Sequence, residues 1–148
     1  MLSLQEISDR LEIQQLMTDY AHAIDTRDFE ALDRIFTPDA FIDYTALGGI
    51  KGHFPEIKLW LTDTMKWFPN YYHLLANQSI KIEGDRARSR TICFNPIVMQ
   101  VQDKPHTMFF GLWYLDQWLR TPEGWRMTER VEEKCFDYNL PAAMPKVT

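Results

Sequence analysis

The second half of this chain constrains the fold more than any other feature. Strand-like residues run from 71 to 83 and turn at Gly84-Asp85 into a second run over 86–101. A turn near Asp103-Lys104-Pro105 leads to a third run over 106–119, and Thr121-Pro122-Glu123-Gly124 leads to a fourth over 125–138. Three successive hairpin connections specify an antiparallel meander. The first half carries helical periods instead. Ser3 with Glu6 forms a capping box, and Leu4, Ile7, Leu11, Met17 and Ile24 mark one face, with Leu16 and Tyr20 beside it. This helix is expected to end about Asp25. Asp28 can cap a short second helix reaching Phe36, with Phe29, Leu32, Ile35 and Phe36 turned inward and Pro38 as its stop. Phe41-Ile42-Asp43-Tyr44 reads as a short strand before Gly48-Gly49. Pro55 can open a third helix through Ile57, Leu61, Met65 and Phe68, halted by Pro69. Helices first and a long meander second is an α+β pattern. A strongly curved antiparallel sheet wrapped over the long helix would make a cone with an internal cavity.

Composition narrows the function. A chain of 148 residues fits one domain, with a core over about residues 4–138 and a loose tail after Pro141. Aromatics make up 14% of it, enough to line a ligand cavity as well as fill a core. A net charge of -5 with no Lys/Arg cluster argues against nucleic acid as a partner. Cys93 and Cys135 lack CxxC spacing, and the four histidines lack ligand spacing, so neither a disulfide scaffold nor a metal site is expected. No leader-like segment and no membrane-spanning apolar stretch is visible, which points to the cytoplasm.

Asp25 and His73 are the pair that suggests chemistry. Asp25 closes the long helical pattern, and His73 lies in Tyr71-Tyr72-His73-Leu74-Leu75, at the start of the strand-rich half. If the fold joins them, the carboxylate fixes one imidazole tautomer and makes a general base in an apolar pocket. Strand alternation puts Tyr71, His73 and Leu75 on one face. Tyr20 and Tyr44 are candidates to donate to an oxyanion or a leaving group. Phe41, Trp60, Phe68, Met99, Phe110 and Trp113 are candidate cavity walls, and Arg130 is a candidate for a polar substrate group or for a surface pair with Glu129 or Glu132.

The run from Tyr20 to Leu32, followed by Phe36-Thr37-Pro38-Asp39-Ala40, Ile42-Asp43-Tyr44 and Gly124-Trp125-Arg126, resembles the SnoaL-like branch of the nuclear transport factor 2-like superfamily over most of the chain. The nearest likeness is to scytalone dehydratase and bile acid 7α-dehydratase, with hexachlorocyclohexane dehydrochlorinase beside them. That resemblance implies a cone-shaped α+β barrel in which Asp25 pairs with His73. It also aligns Tyr44 with a tyrosine of both dehydratases and Tyr20 with the helical tyrosine of the bile acid enzyme. Departures are equally informative. Asn95-Pro96-Ile97 stands where scytalone dehydratase has a second histidine, and Tyr20 stands where the dehydrochlorinase has a lysine, which favours an oxygen leaving group over a halide. The implied function is a cofactor-independent dehydratase acting on a small hydrophobic hydroxy ketone. Two alternatives are a double-bond isomerase like the ketosteroid isomerases and a non-catalytic binder or dioxygenase β-subunit-like protein. A homo-oligomer, dimer or trimer, is also expected, with Trp113 or Trp118 at its interface.

Overall fold

A computed structural model describes residues 1–143; the end of the expected loose tail lies outside the described residues. The chain opens with α1 (Leu4–Thr26), whose N-terminus Ser3 caps by accepting the Glu6 N–H at 3.1 Å. Glu6 does not complete the expected box, because its carboxylate turns to Arg10. The buried face of α1 is Asp9, Ile13, Met17, Tyr20 and Ile24. Leu4, Ile7 and Leu11, expected inward, are exposed. The face is rotated by Asp9, whose carboxylate accepts from Arg120 and Trp125 inside the fold, and a buried charge must stay with its partners.

After α1, Asp28 caps as expected by accepting from Ala31, but Phe29–Arg34 winds as a 3-10 helix rather than an α-helix. The cause is the next strand. Met127 N–H already bonds the Ile35 carbonyl, so the chain extends from β1 (Phe36–Asp43) and leaves room for little more than a turn. Pro38 therefore lies inside β1. It sits where the pairing register shifts between Phe36 and Phe41, a place where a missing N–H costs no ladder bond. A short β2 (Lys51–His53) pairs with β1, and α2 (Phe54–Thr64) follows with Pro55 in its first turn. Phe54, Ile57, Leu61, Met65 and Phe68 all face inward.

The meander forms as expected through β4 (Leu74–Glu83), β5 (Arg86–Val101), β6 (Lys104–Thr121) and β7 (Gly124–Tyr138). Gly84 at φ 64°, and Gln102 and Asp103 at φ 51° and 61°, supply the left-handed turns that tight hairpins need. A two-residue β3 (Asn70–Tyr71) pairs with the other end of β5. The seven strands make one sheet in the order β2-β1-β7-β6-β5-β3, with β4 also on β5. The sheet is mixed rather than wholly antiparallel, because β1 runs parallel to β7. Its inner face, from Met108, Phe110, Leu112, Tyr114, Asp116 and Trp118 on β6 to Ile97, Cys93 and Thr91 on β5, packs over α1. Trp118 is core, donating to Ser89 at 2.8 Å, and not the interface residue expected of it.

Candidate active site

Two local features bring the dyad together. At the end of α1, Arg27 adopts a left-handed conformation (φ 62°), and Asp28 N–H closes back on the Ala23 carbonyl. A non-glycine residue holds that shape only with support. Here the guanidinium donates to the carbonyls of Met65 and Phe68 at 2.5 and 2.6 Å and lies over the Tyr71 ring. Tyr71 hydroxyl in turn donates to Ile24 at 2.7 Å. The last turn of α1, and Asp25 with it, is thus tied to β3 and to the segment before it.

The second feature is a gap in the edge strand. His73 was expected within a continuous strand over 71–83, but it lies in a break between β3 and β4. Tyr71 pairs with Ile97 and Leu74 with Phe94, which leaves Tyr72 and His73 facing Asn95 and Pro96. Pro96 has no N–H to give, so the ladder cannot continue there. Asn95 side chain takes over, donating Nδ2 to the Tyr72 carbonyl at 2.7 Å. The His73 amide, released from the ladder, donates to Asp25 Oδ2 at 3.0 Å. The ring completes a two-point grip, with Nδ1 at 2.7 Å from Asp25 Oδ1. A carboxylate only accepts, so Nδ1 carries the proton of this contact and Nε2 is the ring nitrogen left over. Nε2 has no protein partner among the described residues. The side chain of His73 is 7% exposed and that of Asp25 is 22% exposed. Asp25 also borders a surface cavity of ≈ 380 Å³ formed with Arg27, Asn70, Tyr71, Tyr72 and Val98.

The Tyr20 ring meets His73 edge-on at 6.1 Å, and its hydroxyl lies 2.7 Å from that of Tyr44. All four expected catalytic residues therefore form one connected group. Burial pushes both phenols above their ordinary pKa, so both hydroxyls keep their protons at neutral pH. One must donate to the other, and the acceptor's own proton remains for a third oxygen.

The wall residues divide. Phe68, Met99 and Phe110 are buried on the inner side, and Trp60 packs 6.2 Å from the Tyr44 ring. Phe41 and Trp113 are corrected. Phe41 alternates with buried Ala40 and Ile42 and meets the His53 ring edge-on at 6.1 Å, on the outer side. Trp113 lies outside between buried Leu112 and Tyr114, under the Arg90 guanidinium at 4.1 Å. Parity along each strand decides both cases.

Arg130 is buried rather than at the surface, and its partner is neither Glu129 nor Glu132. Its Nε and Nη2 donate to Asp116 at 2.8 and 2.9 Å, across the β6–β7 pair. The guanidinium is sandwiched between the rings of Tyr20 (4.1 Å) and Tyr114 (3.8 Å), so it fixes the Tyr20 ring from below. Only Nη1 lacks a partner, and substrate contact by Arg130 would be through that nitrogen. Three interior polar residues were missed in sequence: Asp116, Tyr114 and Glu132. Asp116 and Tyr114 alternate with apolar residues along β6, which was a readable signal. Glu132 sits in Val131-Glu132-Glu133-Lys134, which reads as solvated surface.

A SnoaL-like domain family model matches residues 5–131. The chain belongs to the SnoaL-like family. Its SnoaL-like relatives include an uncharacterized protein of Mycobacterium tuberculosis, 59% identical over 136 residues and covering 92% of both chains. Among solved structures it is similar to a protein of Novosphingobium aromaticivorans assigned as an aromatic ring hydroxylase (29% identity, 88% of this chain and 91% of that one, TM-score 0.74). It is also similar to one of the same organism assigned as a scytalone dehydratase (15%, 93% and 91%, TM-score 0.76). A hexachlorocyclohexane dehydrochlorinase from Novosphingobium barchaimii shares the SnoaL-like architecture at 18% identity over 98% of both chains, with TM-score 0.78. These last two likenesses bear on the fold alone.

Proposed function

We propose that this SnoaL-like protein is a cofactor-independent carbon–oxygen lyase, a dehydratase of small, apolar, cyclic β-hydroxy ketones. The observation that carries the proposal is the 2.7 Å contact between Asp25 Oδ1 and His73 Nδ1, made by a His73 whose Nε2 is uncommitted. In this mechanism Nε2 removes the proton beside the ketone. Asp25 holds the ring's orientation and stabilises the imidazolium that forms. The Tyr20–Tyr44 pair stabilises the enolate oxygen by a hydrogen bond from its spare O–H, which stays on the phenol, and the β-hydroxyl takes up one proton from an acid of the site to leave as water. Without departure of oxygen, the same base and donors would shift a double bond, so isomerisation is the nearest alternative.

A second reading has its own support. Tyr20 and Tyr44 are only 2% and 4% exposed and satisfy each other, as in a cone closed by its own side chains. A ligand-binding or ring-hydroxylase-associated protein would need no more, and one similar structure is assigned as an aromatic ring hydroxylase. Replacing His73 by Ala, or Asp25 by Asn, separates the readings. Each should lower turnover of a cyclic β-hydroxy ketone by about a hundredfold or more while the protein stays folded, the usual range for a general base. Undiminished turnover in the folded double variant rules out the lyase mechanism, and ligand binding without turnover in the wild type favours the second reading.

We further infer a homo-oligomer, dimer or trimer. Leu74, Phe136 and Tyr138 form exposed apolar surface around the outer sheet; a monomer by light scattering would refute it. No helix among the described residues is long and apolar enough to cross a membrane. A cytoplasmic site of action is proposed on that footing, to be checked by cell fractionation.

A further inference from the structure

Glu132 is the buried acid that the mechanism above leaves idle. It lies two residues beyond Arg130 on β7 and directly opposite Tyr114 on β6, and partners in an antiparallel pair share a face. Tyr114 is buried on the inner face, so Glu132 points into the cone. On the other side of β7, Val131 pairs with Asp43, the last residue of β1, so Glu132 on β7 and Tyr44 just beyond β1 are the next residues along. The carboxyl therefore lies between the Tyr114 and Tyr44 positions. His73 belongs to the opposite edge of the same curved sheet, with β5 and β6 between them.

Within that setting Glu132 is unusually unpartnered. The residue as a whole is half-buried, but its Oε2 is sealed from solvent and has no hydrogen-bond partner among the described residues. Of the two cations flanking it along the strand, Arg130 spends two nitrogens on Asp116 and Lys134 pairs with Asp137, and neither makes an ion pair with Glu132. A buried polar atom left without a partner costs free energy, and the Arg130 charge nearby offsets that cost only in part. A substrate that enters the cone beside Tyr20 and Tyr44 would bring Oε2 the partner it lacks.

We propose that Glu132 is a further catalytic residue, the general acid that protonates the departing hydroxyl while His73 removes the carbon-bound proton. The proposal rests on the lyase reading. The electron balance is simple. The C–H pair becomes the new C=C bond, the C–O pair leaves with oxygen, and the Glu132 Oε2–H proton completes a molecule of water. His73 ends as imidazolium and Glu132 as carboxylate, and proton exchange through solvent restores both. The local field suits the donor. Burial, opposed by the Arg130 charge and aided by Asp43, pushes the Glu132 carboxyl up to about 8, so at neutral pH it holds the proton it must give. The remaining ionisable groups facing it, Tyr20 from α1, Tyr44 just after β1, Cys93 from β5 and Tyr114 from β6, are themselves pushed toward their neutral forms by burial.

The test compares Glu132→Gln with the wild type on a panel of cyclic β-hydroxy ketones and their β-acetoxy esters, followed by enone absorbance. Acetate leaves without a proton, so the ester needs the base but not the acid. Loss of hydroxy-ketone turnover by about a hundredfold or more, with ester turnover within about threefold of wild type, is expected for a general acid. Equal loss on both compounds, or on neither, overturns the role for Glu132 and leaves the lyase reading standing. A wild type that eliminates neither compound removes the lyase reading and the role together. Infrared spectra of the wild type guard against a variant that fails to fold: a protonated-carboxyl band at neutral pH, absent from Glu132→Gln, is expected. A wild type without any such band refutes the proposal by itself.

Discussion

The end of the cone away from the dyad is fastened by one carboxylate, and substitution of Asp9 by asparagine should show how much that fastening contributes. Asp9 accepts from Arg120 at 2.6 and 2.7 Å, from Trp125 Nε1 at 3.0 Å and from Gln5 at 3.0 Å, with its side chain 4% exposed. Breaking a buried ion pair from one side costs about 3–5 kcal/mol. Here the cost is reduced, since Arg120 is 29% exposed and also holds Asp85, and asparagine retains an acceptor for Trp125. A loss of about 2–3 kcal/mol at neutral pH is the resulting expectation. For a chain of this size that corresponds to roughly 6–9 °C in Tm. The pH dependence carries a sign. The hydrogen bonds from Arg120 hold the Asp9 carboxyl well below its ordinary range, with burial opposing them. A folded pKa below the unfolded one stabilises fully above the ordinary carboxylate range, near pH ~4, and that contribution fades as pH falls below it. Urea melts of both proteins at neutral pH and near pH ~3 should therefore show the gap narrowing on acidification. A variant within ~0.5 kcal/mol of wild type at neutral pH, or a gap that widens in acid, would refute the reasoning.

Further outcomes follow from other contacts. Tyr44→Phe leaves the Tyr20 hydroxyl without its buried partner and should cost about 1–2 kcal/mol in urea melts. In the same variant, turnover should drop by roughly a hundredfold to a thousandfold, the range for one oxyanion donor. Asn95→Leu removes the donor that stands in for the Pro96 N–H, so the amide of His73 should exchange with solvent faster by hydrogen-exchange mass spectrometry; unchanged exchange would mean that Asn95 does not hold the break. Burial pushes the Cys93 thiol up to about 12, whereas Cys135 is exposed, so iodoacetamide should add once to the native protein near neutral pH and twice after denaturation.

The fold was legible where a local rule acted alone. Ser3 and Asp28 cap as their side chains allow, and the hairpins turn where glycine or a short polar pair permits positive φ. It was illegible where distant partners intervened. Nothing near Leu4, Ile7 and Leu11 announces that Asp9, rather than they, faces the core; the reason is Arg120, at the other end of the chain. Pro38 reads as a helix stop, and only the parallel strand β7 makes it a strand residue. In the site, Asp25, His73, Tyr20 and Tyr44 were readable as residues whose chemistry fits together, helped by the family likeness. Arg130 was readable as polar but not as buried, because its counter-charge Asp116 is opposite it only after β6 and β7 have paired in the right register. Phe41 and Trp113 were placed against a regular alternation: even-numbered residues face inward on both strands, Ala40 and Ile42 on β1 and Phe110, Leu112 and Tyr114 on β6.

The parallel pairing of β1 with β7 also sets an order of assembly. Asp25, Tyr20, Tyr44 and His73 all precede β5 in the chain, and a nascent polypeptide can gather them early. Ile42 and Asp43, however, find their partners Arg130 and Val131 only when the last strand has left the ribosome. Until then β1 has an open edge toward β7, and the Tyr20 ring lacks the cation that underlies it. Closure of the cone is thus the final and most non-local event of folding, and the slowest by the usual dependence on contact separation. Chains halted before residue 127 would expose that edge to other molecules, which makes C-terminal truncation products the ones most prone to aggregate.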